Sequence, residues 1–112
     1  KGGIHAFARS LGTHLAPRGI RVNAVAPGPV DTEMAKKVHS PAIRKDYHDA
    51  IPLNRYGLPE ELADAIFYLC SPGSSYITGQ ILAVDGGFDA SGVGLPTLRR
   101  TTPELQNVGA AS

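Results

Sequence analysis

Four histidines, His5, His14, His39 and His48, are the side chains here most suited to metal binding or proton relay, and their spacing argues against a metal. No two stand four apart around a glutamate, as a helical zinc site would need. Gly73-Ser74-Ser75 begins like a nucleophile elbow, but Ile77 stands where the closing glycine belongs. Glu60 and Glu61 are adjacent acids directly after Pro59, where they complement the positive end of a helix. Cys70 ends an apolar helical stripe and is expected to be a small buried hydrophobe. As the sole cysteine it excludes an intrachain disulfide and favours a reducing compartment. What remains is a turn, Pro27-Gly28-Pro29-Val30-Asp31-Thr32. Proline lacks a ladder donor and glycine takes backbone angles closed to other residues, so a strand running into this turn stops stiffly. In open α/β sheets the carboxyl ends of strands are where ligands bind.

The strand that must carry this turn is Ile20–Ala26, apolar except for Arg21 and Asn23, as suits a parallel strand covered on both faces. Asn23 is read as a structural amide tying backbone together. Before it, Ile4, Phe7, Ala8, Leu11 and Leu15 fall on one face of a helix that Pro17 and Gly19 end. After the turn, Asp31 or Thr32 caps a short helix through Lys37, and Ser40-Pro41 starts another through about Ala50. Pro52, Asn54 and Gly57 mark a loop, so residues 33–58 form a long insertion of the sort that covers a site. Pro59 opens the next main helix, with Leu62, Ala65, Ile66 and Leu69 as its stripe, and Pro72-Gly73 closes it. Gln80–Val84 reads as a second buried strand ended by Asp85-Gly86-Gly87. Helix, strand, helix, strand implies parallel strands joined by a right-handed crossover. Residues 89–112 lose all periodicity and are read as a tail docked on a partner subunit.

Composition narrows the class. The 112 residues are 42% hydrophobic with a formal net charge of +1, which argues against disorder and calls for neither nucleic acid nor an acidic membrane surface. Arg44-Lys45 and Arg99-Arg100 are pairs rather than patches and read as solvated. No apolar run reaches membrane-spanning length and the first residues lack the apolar core of a secretion signal, so the expectation is a cytoplasmic protein. Two strands are too few for a parallel sheet, and the sequence reads as the carboxyl-terminal part of a larger α/β domain.

Five blocks taken in order resemble the short-chain dehydrogenase/reductase family. They are Lys1-Gly2-Gly3-Ile4 with its helix, Arg18-Gly19-Ile20-Arg21-Val22-Asn23, Pro27-Gly28-Pro29-Val30-Asp31-Thr32, Gly57-Leu58-Pro59-Glu60-Glu61, and Thr78-Gly79-Gln80 leading to Asp85-Gly86-Gly87. They span Lys1–Phe88. The resemblance implies a Rossmann-type doubly wound parallel sheet, of which 1–88 would be the carboxyl-terminal part, with 33–58 as a substrate lid. It implies binding of NAD or NADP and hydride transfer to or from an alcohol or carbonyl carbon. It also implies a catalytic serine and tyrosine upstream of this chain.

The family's roles carry over residue by residue. Lys1 resembles the catalytic lysine, which hydrogen-bonds the nicotinamide ribose and lowers the tyrosine pKa. Pro27 and Gly28 would bring backbone against the nicotinamide, where a side chain would obstruct it. Val30 would offer main-chain groups to the carboxamide, and Thr32 a hydroxyl at a helix start. Met34, Val38 and Tyr47 are the lid's candidates for lining an apolar substrate pocket. Each has a plainer reading: a solvated Lys1, a strand-ending turn at 27–28, a capping Thr32 and lid residues that simply pack. Asp85-Gly86-Gly87 is read as a strand-ending turn at a subunit contact. The partner expected is a second copy of the chain, in a dimer or tetramer. The competing function is a non-catalytic assembly piece that keeps the family's association surfaces.

Overall fold

The computed structural model describes residues 2–91. In chain order these form α1 (Gly2–Leu15), a 3-10 turn (Ala16–Arg18), β1 (Ala24–Pro27), α2 (Glu33–Val38), α3 (Pro41–Ala50), α4 (Pro59–Cys70), a second 3-10 turn (Pro72–Ser74) and β2 (Ile81–Val84). The described residues divide into two compact units. One holds 2–27 with Leu58–Val84, the other Gly28–Gly57 with 85–91.

The first unit is built on a parallel pair, with Ala24 opposite Ile81 and Pro27 opposite Val84. α1 and α4 both pack against this pair. Proline is accepted as the last residue of β1 because a terminal position forfeits only one donor. The strand nevertheless starts four residues later than its apolar run. Ile20–Asn23 is held by side chains together with scattered backbone bonds in place of a ladder. Asn23 donates Nδ2–H to the Ile77 carbonyl at 3.0 Å and accepts from the Gln80 N–H at 3.0 Å. Thr78 Oγ1 accepts from the Val22 N–H at 3.1 Å, and the Gly79 N–H donates to the Val22 carbonyl at 2.8 Å. Gly79 has φ +70°, which breaks the register between the two segments. Asn23 is thus the backbone tie that its residue type implied.

α1 buries Ala8 and Gly12 and leaves Ile4 and Phe7 exposed. Gly12 is dictated by close approach. A Cβ there would lie 2.5 Å from the Gly79 nitrogen and 2.6 Å from its Cα, both backbone atoms that cannot swing aside. Gly19, at φ +73°, turns the chain from α1 toward the strand. The start of α4 is held by Glu61, whose Oε1 accepts from the Leu58 N–H at 2.8 Å. Cys70 is exposed, contrary to expectation. It lies about 100° around the helix from Leu69, off the Leu62–Ala65–Leu69 stripe. The buried residue at that end is Ser74, whose Oγ donates within 3.0 Å of both the Leu69 and Ser71 carbonyls.

Gly12→Ala is expected to destabilise the whole protein by about 1–3 kcal/mol through overpacking. Gly3→Ala, which meets nothing within 4 Å, is expected to be neutral or to stabilise slightly through helix propensity. Urea denaturation of the two variants, read by far-UV circular dichroism, separates these outcomes.

Candidate functional site

The second unit carries the turn. Pro29 accepts from the Gly57 N–H at 2.9 Å, and the Gly57 carbonyl accepts from the Asp31 N–H at 2.8 Å, making a one-residue parallel bridge between Val30 and Gly57. In such a bridge the middle residue aims its own N–H and C=O away from the partner. The Val30 carbonyl accepts from the Thr32 N–H at 2.9 Å, and among the described residues no backbone acceptor takes the Val30 N–H. Thr32 is the N-cap of α2, its Oγ1 accepting from the Ala35 N–H at 3.1 Å. A hydroxyl that accepts in this way keeps its own proton to donate elsewhere. The turn therefore offers two donors, one main-chain and one hydroxyl. That donor set suits an amide oxygen or a phosphate.

Behind the turn stands Asp85. Its Oδ1 accepts from the Gly87 N–H and its Oδ2 from the Asp89 N–H, each at 2.9 Å, so both oxygens are spent on the turn that follows. A Cβ on Gly28 would lie 2.7 Å from the Asp85 Cβ and 2.8 Å from its Cα. Glycine at 28 is required by this contact. Gly86 in turn lies under Ile51, whose Cγ2 would be 2.8 Å from any added Cβ, and its carbonyl accepts from the Leu53 N–H at 3.1 Å. Ile51 is 1% exposed and anchors this layer.

A second feature, not foreseen from sequence, centres on Tyr56, which is 4% exposed. Its Oη shares a 2.7 Å hydrogen bond with His39 Nδ1. Tyr47 meets the Tyr56 ring edge-on at 5.9 Å and stacks on His39 at 5.2 Å, while His48 meets the ring at 5.3 Å. The Arg44 guanidinium lies 4.4 Å over the ring and donates Nη2–H to Asp31 Oδ1 at 3.1 Å. Burial pushes the Tyr56 phenol above its ordinary value, outweighing the opposing pull of Arg44. Arg44 is thus an ion-paired, half-buried residue, whereas Lys45 beside it pairs with Asp49 at the surface. The reading of both as solvated holds only for Lys45. Arg44, Tyr47 and His48 share one face of α3 by their three- and four-residue spacing, a legible signal. Nothing local points to His39 and Tyr56.

Of the residues expected at a site, Gly28, Val30 and Thr32 lie together on the turn, and Pro27 ends β1. Tyr47 sits in the ring cluster. Met34 and Val38 on α2 are 74% and 63% exposed. Lys1 and most of the expected tail lie outside the described residues. No group of three His, Cys, Asp or Glu side chains among the described residues could hold a metal ion.

A family model described as enoyl-(acyl carrier protein) reductase matches residues 1–89. A Francisella tularensis structure described as a short chain dehydrogenase family protein superposes with a TM-score of 0.72 at 37% identity, covering 81% of this chain and 42% of that one. This chain belongs to the short-chain dehydrogenase/reductase family. Within that family it is 52% identical to an uncharacterized oxidoreductase, YmfI, of Bacillus subtilis, over 79% of this chain and 36% of the relative. It is 48% identical to the 3-oxoacyl-[acyl-carrier-protein] reductase FabG of Aquifex aeolicus, over 78% of this chain and 35% of that protein. A 3-oxoacyl-[acyl-carrier protein] reductase structure from Brucella melitensis superposes with a TM-score of 0.74 at 40% identity, covering 77% and 32% of the two chains. The chain thus spans about a third of the length of these curated relatives. Its fold class is α/β with parallel strands, part of a Rossmann-type sheet as in the family's solved members.

The sign of the Tyr56 shift sets a pH dependence. A phenol whose folded pKa lies above its unfolded value of about 10 contributes stability that is complete below that pH and lost as pH rises through the folded value. Tyr56→Phe, which also gives up the His39 bond, is expected to lose about 1 kcal/mol at pH 8. Its stability should then fall less steeply than wild type above pH 10. Urea titrations at pH 8, 10 and 11 measure both effects.

Proposed function

We propose that the protein carrying this chain is an NAD- or NADP-dependent oxidoreductase that moves a hydride between cofactor and an alcohol or carbonyl carbon. The observation that supports it most directly is the donor pair on the 28–32 turn. The Val30 N–H and the Thr32 hydroxyl are available on a segment held from behind by Gly57 and Asp85. Rigid donors of this kind orient a carboxamide, and orientation decides which face of a nicotinamide takes the hydride. The relatives' names, among them 3-oxoacyl-[acyl-carrier-protein] reductases and a galactitol 2-dehydrogenase of Cereibacter sphaeroides, add weight to hydride chemistry on a hydroxyl or keto carbon.

When bound, the nicotinamide supplies or accepts the hydride. The chain's own residues do the rest. In this reading Val30 donates its N–H to the carboxamide oxygen, and Thr32 donates its hydroxyl nearby. Pro27 and Gly28 keep the approach free of side chains. Lys1 holds a positive charge that orients the ribose and favours the ionised form of an upstream tyrosine, the general acid/base, beside an upstream serine. Met34, Val38 and Tyr47 belong to a substrate lid, 33–58, within a domain covering 1–88. A cytoplasmic enzyme is the matching location, and among the described residues no helix is long and apolar enough to cross a membrane. The exposed Ile4 and Phe7 on α1, and Ile66, Phe67 and Tyr68 on α4, favour burial against a second copy of the protein. Those faces also support the competing reading of an assembly piece without catalysis.

The whole protein, incubated with NADH or NADPH and a panel of ketones, and with the oxidised nucleotides and the matching alcohols, is expected to turn over at least one pair. Lys1→Met should lower kcat by about 100-fold or more. Thr32→Val should raise the nucleotide KM, while Thr32→Ser, which keeps both the cap and the donor, should stay near wild type. Absence of turnover with either nucleotide, in a protein that is folded and oligomeric, would favour the assembly reading instead.

A further inference from the structure

We propose that Arg44 is a positioning residue for the cofactor-facing turn, acting through Asp31; this rests on the oxidoreductase reading above. Asp31 stands between the two donors, so its placement sets the direction of both. It is gripped twice. Its N–H is held by the Gly57 carbonyl at 2.8 Å, and its carboxylate by Arg44 Nη2 at 3.1 Å, with the two side chains 30% and 26% exposed. Both grips trace back to one place in the chain. Gly57 follows Tyr56 directly, and Tyr56 is the ring on which the Arg44 guanidinium rests at 4.4 Å. The ring itself is fixed by His39 at its hydroxyl and by Tyr47 and His48 around its edge.

The guanidinium is used in a way a lysine could not copy. Its Cζ lies over the phenol ring at 4.4 Å while Nη2 reaches the carboxylate, and among the described residues Nη1 is buried with no hydrogen-bond partner. The ring face compensates the cation while the carboxylate fixes its direction. Arg44 touches neither donor of the turn, so its influence on the cofactor runs through Asp31. The segment 33–56 and the cofactor-facing turn are thereby one mechanical piece: what orders the ring cluster also orders Val30 and Thr32.

The test separates positioning from simple packing of the lid. In the whole protein, Arg44→Met is expected to raise the nucleotide KM by roughly 5- to 20-fold, because a small misplacement of an orienting group is costly, with the KM for the carbonyl substrate changed less than twofold. Asp31→Asn, which keeps the shape and removes the charge, should do the same, and the double variant should be no worse than either single one. Arg44→Lys should fall between Met and wild type. Hydrogen exchange at the Asp31 and Thr32 amides, read by mass spectrometry on the free protein, should accelerate in Arg44→Met. If Arg44→Met does not fold, Asp31→Asn breaks the same pair and carries the test. A nucleotide KM unchanged in Asp31→Asn, or additive losses in the double variant, would overturn the proposal while leaving the oxidoreductase reading intact. Should the wild type turn over nothing, that reading fails and the exchange rates alone decide whether Arg44 orders the turn, unchanged rates overturning it.

Discussion

Gly57 closes the base of a loop that begins at Val30, and the rest of the second unit depends on that closure. Two backbone hydrogen bonds make it, Gly57 to Pro29 and Asp31 to Gly57. Bringing together the ends of a segment this long costs about 3 kcal/mol in chain entropy alone, while two backbone bonds return about 1 kcal/mol each. Side chains must therefore contribute. The Tyr56 cluster sits where it can: directly against the closing residue, buried, and tied to Asp31 at the opposite side of the same bridge. A loop closed only by its backbone would fray, whereas here the closing bonds and the ring cluster hold or release together.

The cluster also illustrates how charge is managed in a small interior. A guanidinium drawn out of water needs an opposite charge and a polarisable surface, and Arg44 has both in Asp31 and the Tyr56 ring. The phenol must then stay neutral, because an anion there would lose its hydration. Burial enforces this by raising its pKa. The Tyr56 hydroxyl shares its hydrogen bond with His39 Nδ1, and the cluster holds a single ion pair, Arg44 with Asp31. The pair is partly exposed, and its direct stabilisation is modest for that reason. Its value is geometric.

The residues that were legible in the sequence are those whose partners are near in the chain. Ser40 before Pro41 announces α3, and its Oγ does accept from the Ile43 N–H at 3.2 Å. Thr32 caps α2 in the same way. The two parallel strands follow from apolar runs separated by helices. The failures are equally physical. The Ile20–Asn23 stretch reads as strand because it is apolar, yet its hydrogen bonds go to Leu15, Ser71, Ile77, Thr78, Gly79 and Gln80, through the side chains of Arg21, Asn23 and Thr78 as well as backbone. Periodicity carries no record of such partners. Cys70 follows a hydrophobic stripe in sequence but misses it by one residue, which on a helix is a rotation from covered to open. His39 and Tyr56 are seventeen residues apart and share only the three-dimensional loop that brings them together. Only the α3 members of that cluster have a spacing that could have been read.

Gly28 shows how one glycine can answer to a constraint that its local sequence does not display. From sequence alone the glycine is ascribed to open space in front of the turn. The tighter constraint lies behind, where Asp85 leaves no room for a Cβ. Asp85 cannot retreat, since both its oxygens hold the following turn and the next residue, Gly86, is pinned beneath Ile51. The layer from Ile51 through Gly86 and Asp85 to Gly28 is therefore a stack of close approaches, each glycine present because its neighbour is fixed.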